Sequence, residues 1–429
     1  MHAATTETAR LSASAPADEP LRALPGSPRV LILVENNSVP SDRRVWSIAR
    51  SLVRVGAQVV VVCPQGSRLG EDALAEYRDG IEIHRYPLRA ADGGVLGFAR
   101  EYAQALLRSR SLAQRLTRER PFDVVHTCNP PDFLLLAAGP ARRAGARLVF
   151  DHHDLTPELF QVRFGDGHSW LRRLTLLVER LCMRSADAVI ATNESYAELV
   201  RTRDGRRAED VFVVRNGPEL RSLRAAAPNR ALARGREHLI AYVGMMAPQD
   251  GVEEALQALA QLAHRRTDWH AVFAGDGPSR EDLIALRDRL GLSGQVEFAG
   301  WLGQREVASL LASSDVGLAP EPSSPLNDVS TMIKVAEYMA HGVPVVAYDL
   351  RETRRTAADG ALYGASGDVA SFAACIERLL ESPELRERTG HEGRERVESE
   401  LSWEHSERSL REAYAHVLGS GPAAQGRRR

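Results

Sequence analysis

The sequence predicts an α/β protein built from two tandem doubly wound domains that face each other across a central cleft. Three observations carry this. At 429 residues the chain exceeds what one core fills, so two domains of roughly 200 residues each are expected. Continuous apolar runs alternate with helical stretches, which means parallel strands joined by right-handed crossovers. The alternation stops at an Arg/Ala-rich stretch, 219–236, and then starts again.

Residues 1–27 are rich in Ala, Ser, Thr and Pro and lack the basic start and apolar run of a signal peptide. They read as a disordered tail on a cytoplasmic protein. The first domain, 28–218, opens with a buried strand at 29–35. A helix follows over 42–55, closed by Gly56 in a C′ position, and then a strand at 58–63. Further strands are expected at 123–126, 147–151, 188–192 and 211–215, each after a helical segment. Residues 219–236 form the linker. The second domain, 237–402, holds strands at 238–243, 269–274, 295–299, 316–319 and 344–348. A last helix, 403–418, crosses back onto the first domain, and 419–429 is a second tail. Ligands of such open sheets sit in the crevice at the carboxyl ends of the strands.

Hydrophobic content of 44% and charged content of 26% are those of an ordinary soluble protein, and no apolar run approaches the roughly 20 residues of a membrane span. Cys63, Cys128, Cys182 and Cys375 have no paired spacing, which argues against disulfides and a zinc site. The first domain carries 28 arginines against 23 acidic residues, whereas 219–429 carries 25 basic residues against 31 acidic ones. A basic first half points to an anionic partner, either a membrane surface or a phosphate-bearing acceptor. Residues 170–184 interleave Leu171, Leu174, Leu177, Val178 and Leu181 with Arg172, Arg173, Arg180 and Arg184. Such a helix can lie peripherally on the anionic inner face of a membrane, but the more common arrangement, expected here, packs the apolar stripe on the helix's own sheet. No nucleic-acid partner is expected.

Two common occupants of this architecture are excluded. The turn after the first strand, Glu35 to Asp42, has no glycine and so cannot be the Gly-x-Gly-x-x-Gly loop of a dinucleotide-binding dehydrogenase. Lys334 is not preceded by the glycines of a P-loop. It is nevertheless the one lysine among 55 basic residues, and a site that breaks an arginine bias calls for a compact ammonium on a flexible stem. Strand ends in the second domain carry glycines, at Gly244, at Gly275 and Gly277, and at Gly300 before Trp301 and Leu302. Glycine at such points lets a ligand approach main-chain amides.

Several separated motifs now converge: Asp42-Arg43-Arg44-Val45, His153-Asp154, Gly275-Asp276-Gly277-Pro278, Phe298-Ala299-Gly300, and Glu337-Tyr338-Met339-Ala340-His341-Gly342-Val343-Pro344-Val345-Val346-Ala347. Over roughly residues 28–418 the chain resembles the family 4 glycosyltransferases of the GT-B fold, whose two domains are Rossmann-like. The resemblance implies transfer of a sugar from a nucleotide-diphosphate sugar, with retention of configuration, the nucleotide held by the second domain. The acceptor is then a hydroxyl on a glycan, a lipid-linked sugar or a small molecule, in cell-surface polysaccharide or glycoside synthesis. The nucleotide sugar is a co-substrate, and no further cofactor is expected. No Asp-x-Asp occurs in the chain, so metal-independent activity is expected.

For a diphosphate the last motif makes sense. Ser330 or Thr331 is expected to cap a helix running to about His341, which sets Lys334 and Glu337 one turn apart on one face. Free amides at the helix start attract the diphosphate, Lys334 adds charge to the leaving group, and Glu337, by resemblance, accepts from the ribose hydroxyls. Many members carry a glutamate eight positions before Glu337; here it is Val329, so the donor-sugar contact falls to Asn327 or Asp328. Many also carry a basic clamp after the Gly244 turn, where this chain has Met245 and Asp250. Lys334 is the substitute that remains. The resemblance places His153 against the donor sugar, and Asn37, Asp42 and Arg43, which follow the first strand, are expected on the acceptor side together with Asp154. Two alternatives stay open on sequence: a non-hydrolysing nucleotide-sugar epimerase, and a non-catalytic nucleotide-sugar-binding protein.

Overall fold

A computed structural model describes residues 22–66, 73–88, 94–164, 169–223 and 227–419. The remainder of both expected tails, 1–21 and 420–429, lies outside them. Strands β1 (Arg29–Leu33), β2 (Gln58–Pro64), β3 (Ala75–Arg78), β4 (Ile81–Tyr86), β5 (Val124–Cys128), β6 (Arg147–His152), β7 (Ala188–Ala191) and β8 (Val211–Val213) form the first sheet. Its order is β3-β4-β2-β1-β5-β6-β7-β8. Strands β9 (His238–Val243), β10 (Trp269–Ala274), β11 (Val296–Gly300), β12 (Val316–Ala319), β13 (Val345–Tyr348) and β14 (Ala361–Gly364) form the second, in the order β11-β10-β9-β12-β13-β14.

Each sheet is covered on both faces. In the first domain α1 (Arg43–Arg54) packs on one face, while α2 (Gly94–Glu119), α3 (Gly139–Arg143), α4 (Thr156–Phe164), α5 (Ser169–Ser185) and α6 (Glu194–Thr202) follow the later strands. The second domain carries α7 (Val252–Ala263), α8 (Arg280–Arg289), α9 (Gln304–Ser313), α10 (Ile333–Ala340), α11 (Arg351–Ala357), α12 (Val369–Glu381) and α13 (Pro383–Arg396). The chain returns through α14 (Trp403–Gly419), whose Trp403, Leu410, Ala413, Tyr414 and Val417 complete the apolar layer over α1. Burial of that face explains why a helix following the second domain belongs physically to the first.

All strands but one are parallel, as the alternation predicts, so both sets of carboxyl ends face the cleft. The exception is β3, antiparallel to β4 through the turn Asp79-Gly80. Both turn residues have positive φ, the geometry of a two-residue hairpin, and Asp-Gly is its usual sequence signal. Two other boundaries move. Leu24, inside the expected tail, is buried in the α1 layer and donates its amide to Val55 O at 2.8 Å. In the expected linker, Leu220, Leu223 and Leu232 pack on the second core and Ala233 is part of it.

Candidate functional site

The first-domain wall is organised by a buried carboxylate. Asp151, the penultimate residue of β6, takes a bidentate grip from Arg44, with Nε–Oδ2 at 3.1 Å and Nη2–Oδ1 at 2.7 Å. Arg44 also donates to Val214 O and Asn216 Oδ1, tying α1 to the strands on the far side of β6. His126 Nε2 lies 3.3 Å and His153 Nε2 2.7 Å from Asp151 Oδ2. Burial alone would raise the Asp151 carboxyl, but the Arg44 guanidinium, then His153, hold it well below the usual carboxylate range. Ionised Asp151 can only accept, so His153 donates from Nε2 and its ring is fixed with Nδ1 turned away. Burial lowers His126 below the ordinary histidine value, and its Nδ1 accepts from the Tyr414 hydroxyl of α14 at 2.8 Å.

Backbone placement of the same turn comes from Asn129. Its side-chain oxygen accepts from the amides of His153 (2.6 Å) and Asp154 (3.2 Å), while Nδ2 donates to Asp154 O and Asp132 Oδ1. Arg44, Asn129 and Asp151 escape the sequence reading. An Asp two residues before a strand-end His was the available signal, because a carboxylate at the end of an otherwise apolar strand requires a partner.

In the second-domain wall, Lys334 is buried beneath the Gly244 turn. A Cβ on Gly244 would lie 2.9 Å from Lys334 Cε and 3.0 Å from Nζ. The ammonium donates to the Tyr242 hydroxyl at 3.0 Å, lies 4.2 Å from the centre of that ring and forms a short ion pair with the buried carboxylate of Glu321. Burial alone would lower this ammonium, but Glu321 raises it above the ordinary lysine value, so it is charged throughout the working range. The expectation of a solitary positive charge is therefore corrected: Lys334 brings its own counter-ion, which sequence reading missed thirteen positions upstream. The Tyr242 hydroxyl donates to Met245 O and Ala247 N donates to the Asp250 side chain, so Asp250 closes the loop while the Met245 side chain stays exposed.

The helix cap is a second correction. α10 begins at Ile333 with Met332 as its cap residue and no side-chain cap bond. Ser330 and Thr331 instead reach across to the first domain: Ser330 Oγ lies 3.1 Å from the Tyr196 hydroxyl, and Thr331 Oγ1 accepts from Asn193 Nδ2 at 2.9 Å. No side chain caps the start of α10, and with Val335 N turned back on Met332 O at 3.0 Å, the amides of Ile333 and Lys334 are the ones that face a ligand. Lys334 and Glu337 follow within the first two turns. Burial raises the Glu337 carboxyl, and Arg43 reaches it across the cleft at 3.2 Å.

Between the walls lies a cavity of about 140 Å³, lined by His153, Asp154, Thr192, Tyr196 and Asn216 from one domain and by Ser330, Thr331 and Ile333 from the other. The remaining expected residues divide. Asp42 is the α1 N-cap, its carboxylate accepting from Val45 N at 2.9 Å. Asn37 is exposed on the loop after β1. Asn327 is buried and donates to Gln249 O and Pro322 O, so it fastens a loop and offers the donor sugar no free amide. Asp328 accepts from Ser323. Leu302 packs on the second core. At Gly275 a Cβ would fall 1.8 Å from Gly244 O, and at Gly277 2.4 Å from Met246 O. These two glycines admit the neighbouring turn, where a ligand was expected. Gly300 faces open space.

Among the described residues two groups bring metal-ligand atoms together. His126, Cys128 and Asp151 are buried, but the Arg44 guanidinium already occupies both Asp151 oxygens, and a cation would meet its charge. Glu237, His238 and Asp268 sit where β9 and β10 begin, at the end of the sheet away from the cleft.

Two family descriptions match successive parts of the chain: "Glycosyl transferase 4-like domain" over residues 41–217 and "Glycosyl transferases group 1" over 237–382. A 2-deoxystreptamine glucosyltransferase of Streptomyces kanamyceticus is 27% identical over 403 residues, covering 88% of this chain and 98% of its own. A glycogen synthase of Mycobacterium tuberculosis is 24% identical over 377 residues, 84% of this chain and 87% of that one. Among solved structures, sucrose-phosphate synthase from Thermosynechococcus elongatus superposes with a TM-score of 0.72 at 19% identity, covering 89% of this chain and 96% of that chain. Anabaena HepE in complex with UDP-glucose does so with a TM-score of 0.65 at 19% identity, covering 89% and 98%. The chain belongs to the family 4-like glycosyltransferases of the GT-B fold, enzymes that move a sugar from a nucleotide-sugar donor.

Proposed function

We propose that the chain is a retaining, metal-independent glycosyltransferase that carries a sugar from a nucleotide-diphosphate sugar to a hydroxyl acceptor in polysaccharide, glycoconjugate or small-molecule glycoside synthesis. The observation that carries this reading is the shared cavity: His153, locked on Asp151, and the open start of α10 line it from opposite domains.

In this reading the diphosphate sits against the α10 amides. An ammonium has three protons, and two of those on Lys334 go to Tyr242 and Glu321, so one is left for the departing phosphate. Glu337 accepts from the ribose hydroxyls after releasing Arg43. His153 holds the donor sugar from the other side, with Nδ1 toward the reacting centre. Departure of the diphosphate and arrival of the acceptor take place on one face of the sugar, the phosphate taking the acceptor proton. Catalysis then comes from orientation and fixed dipoles, and neither a side-chain nucleophile nor a metal is required.

The test is a proton NMR time course of sugar transfer, run with and without EDTA. The product's first-formed anomer should match that of the donor, at an unchanged rate in chelator. An inverted product, or turnover lost in EDTA and restored by magnesium or manganese, contradicts the proposal.

A further inference from the structure

The apolar stripe of α5 packs on its own sheet only in part. Val178, Cys182 and Met183 face the first core, but Trp170, Leu174, Leu177 and Leu181, at helical spacing, are 47 to 64% exposed. The helix thus has a second apolar face with nothing over it. Arg173, Arg180 and Arg184 are exposed beside it, and Arg172 is exposed at the start of the helix on another side. The one acid in the helix, Glu179, is buried and bound to Arg203, so the helix flanks its outer apolar face with three positive charges and no negative one.

The neighbours extend this surface. The segment 132–138 lies between α2 and α5: Arg110 of α2 donates to Leu136 O, and Cys182 of α5 bonds Asp132 O. Leu107 and Leu136 are exposed there as well. Along α2, Arg100, Gln104 and Arg108 border a cavity of about 390 Å³ with Pro87 and Leu88. α2 follows the carboxyl end of β4, and α5 runs back to the start of the parallel strand β7, so the beginnings of both helices lie toward the cleft.

We propose that this face docks the protein on an anionic lipid bilayer, with the leucines and Trp170 in the headgroup–acyl boundary and the arginines on lipid phosphates. The combination selects that occupant. An apolar stripe alone would suit another protein, but flanking arginines on a helix with no exposed acid match a surface that is apolar beneath and negative above. Among the described residues no helix is long and apolar enough to cross a membrane, so the attachment is peripheral. Such docking holds the cleft rim against the bilayer, where a lipid-linked acceptor reaches the sugar without leaving the membrane.

The experiment is co-sedimentation of the full chain with vesicles of phosphatidylglycerol and phosphatidylcholine, against phosphatidylcholine alone, at low and high salt. Binding should require the anionic lipid and weaken with salt. It should fall about tenfold or more in the triple variant Leu174→Ser, Leu177→Ser, Leu181→Ser. Arg173→Gln with Arg184→Gln should lower it by about fivefold per charge. Both variants change only exposed side chains, so melting temperature and turnover with a soluble acceptor should match the parent. Equal binding to neutral vesicles, or undiminished binding by the triple variant, overturns the proposal. So does light scattering that finds a dimer which the triple variant dissolves, because the face then belongs to a second copy.

Discussion

Lys334 and Glu321 each leave the other stranded if removed. The pair is buried, so Lys334→Ala leaves an uncompensated carboxylate and should cost about 3–5 kcal/mol of stability. That loss alone says nothing about catalysis. Replacing both partners with apolar residues of similar size, Lys334→Met with Glu321→Leu, removes the charge and its counter-ion together and should restore stability to within about 1 kcal/mol. Turnover should stay lost in the double variant, measured beside urea unfolding, because the proton offered to the phosphate is gone. A stable double variant with parental turnover would reduce Lys334 to packing. Sequence alone singled out Lys334, since one lysine among 55 basic residues is visible without a structure. Glu321 was invisible because its partner is brought to it by tertiary folding.

At the scale of elements, the strand-end turns of the second sheet act as one stacked unit. The Gly244 turn covers Lys334, and Gly275 presses on that turn from the next strand, its amide bonded to Gly300 O at 2.8 Å. A methyl group at Gly275 would collide with backbone, where no side chain can swing aside. Gly275→Ala should therefore push the Gly244 turn onto Lys334 and raise the donor KM, with a lower melting temperature. A normal KM at a lowered melting temperature would confine the glycine to stability. Most strands were legible because buried parallel strands read as continuous apolar runs, and β9, β10 and β12 coincide with their expected limits. The hairpin of β3 and β4 was not, since Ala75–Arg78 is an exposed four-residue edge whose residues carry no apolar run. Its one signal was Asp79-Gly80. The α10 cap was misread for a different reason: Ser330 and Thr331 have the right chemistry for a cap, but partners from the first domain claim them.

For the whole molecule, the two domains meet through buried polar contacts around the cleft. Glu352, fully buried in α11, accepts from Ser195 Oγ at 2.7 Å and Arg215 Nη1 at 3.3 Å, both of the first domain. Asn193 and Tyr196 bind the segment before α10. The Arg43–Glu337 bridge stands apart, because it is exposed on the Arg43 side and uses the carboxylate assigned to the ribose. With the Arg43 side largely in solvent the bridge is weak, on the order of 1 kcal/mol or less, so a donor can displace it. Donor binding and release of this bridge are thus one event.

A crystal structure with an uncleaved nucleotide-diphosphate sugar examines that event directly. The diphosphate should lie at the first α10 amides within hydrogen-bond reach of Lys334, with the ribose on Glu337, Arg43 withdrawn and His153 against the sugar. A diphosphate bound elsewhere, or an intact Arg43–Glu337 bridge beside an occupied site, would contradict the account.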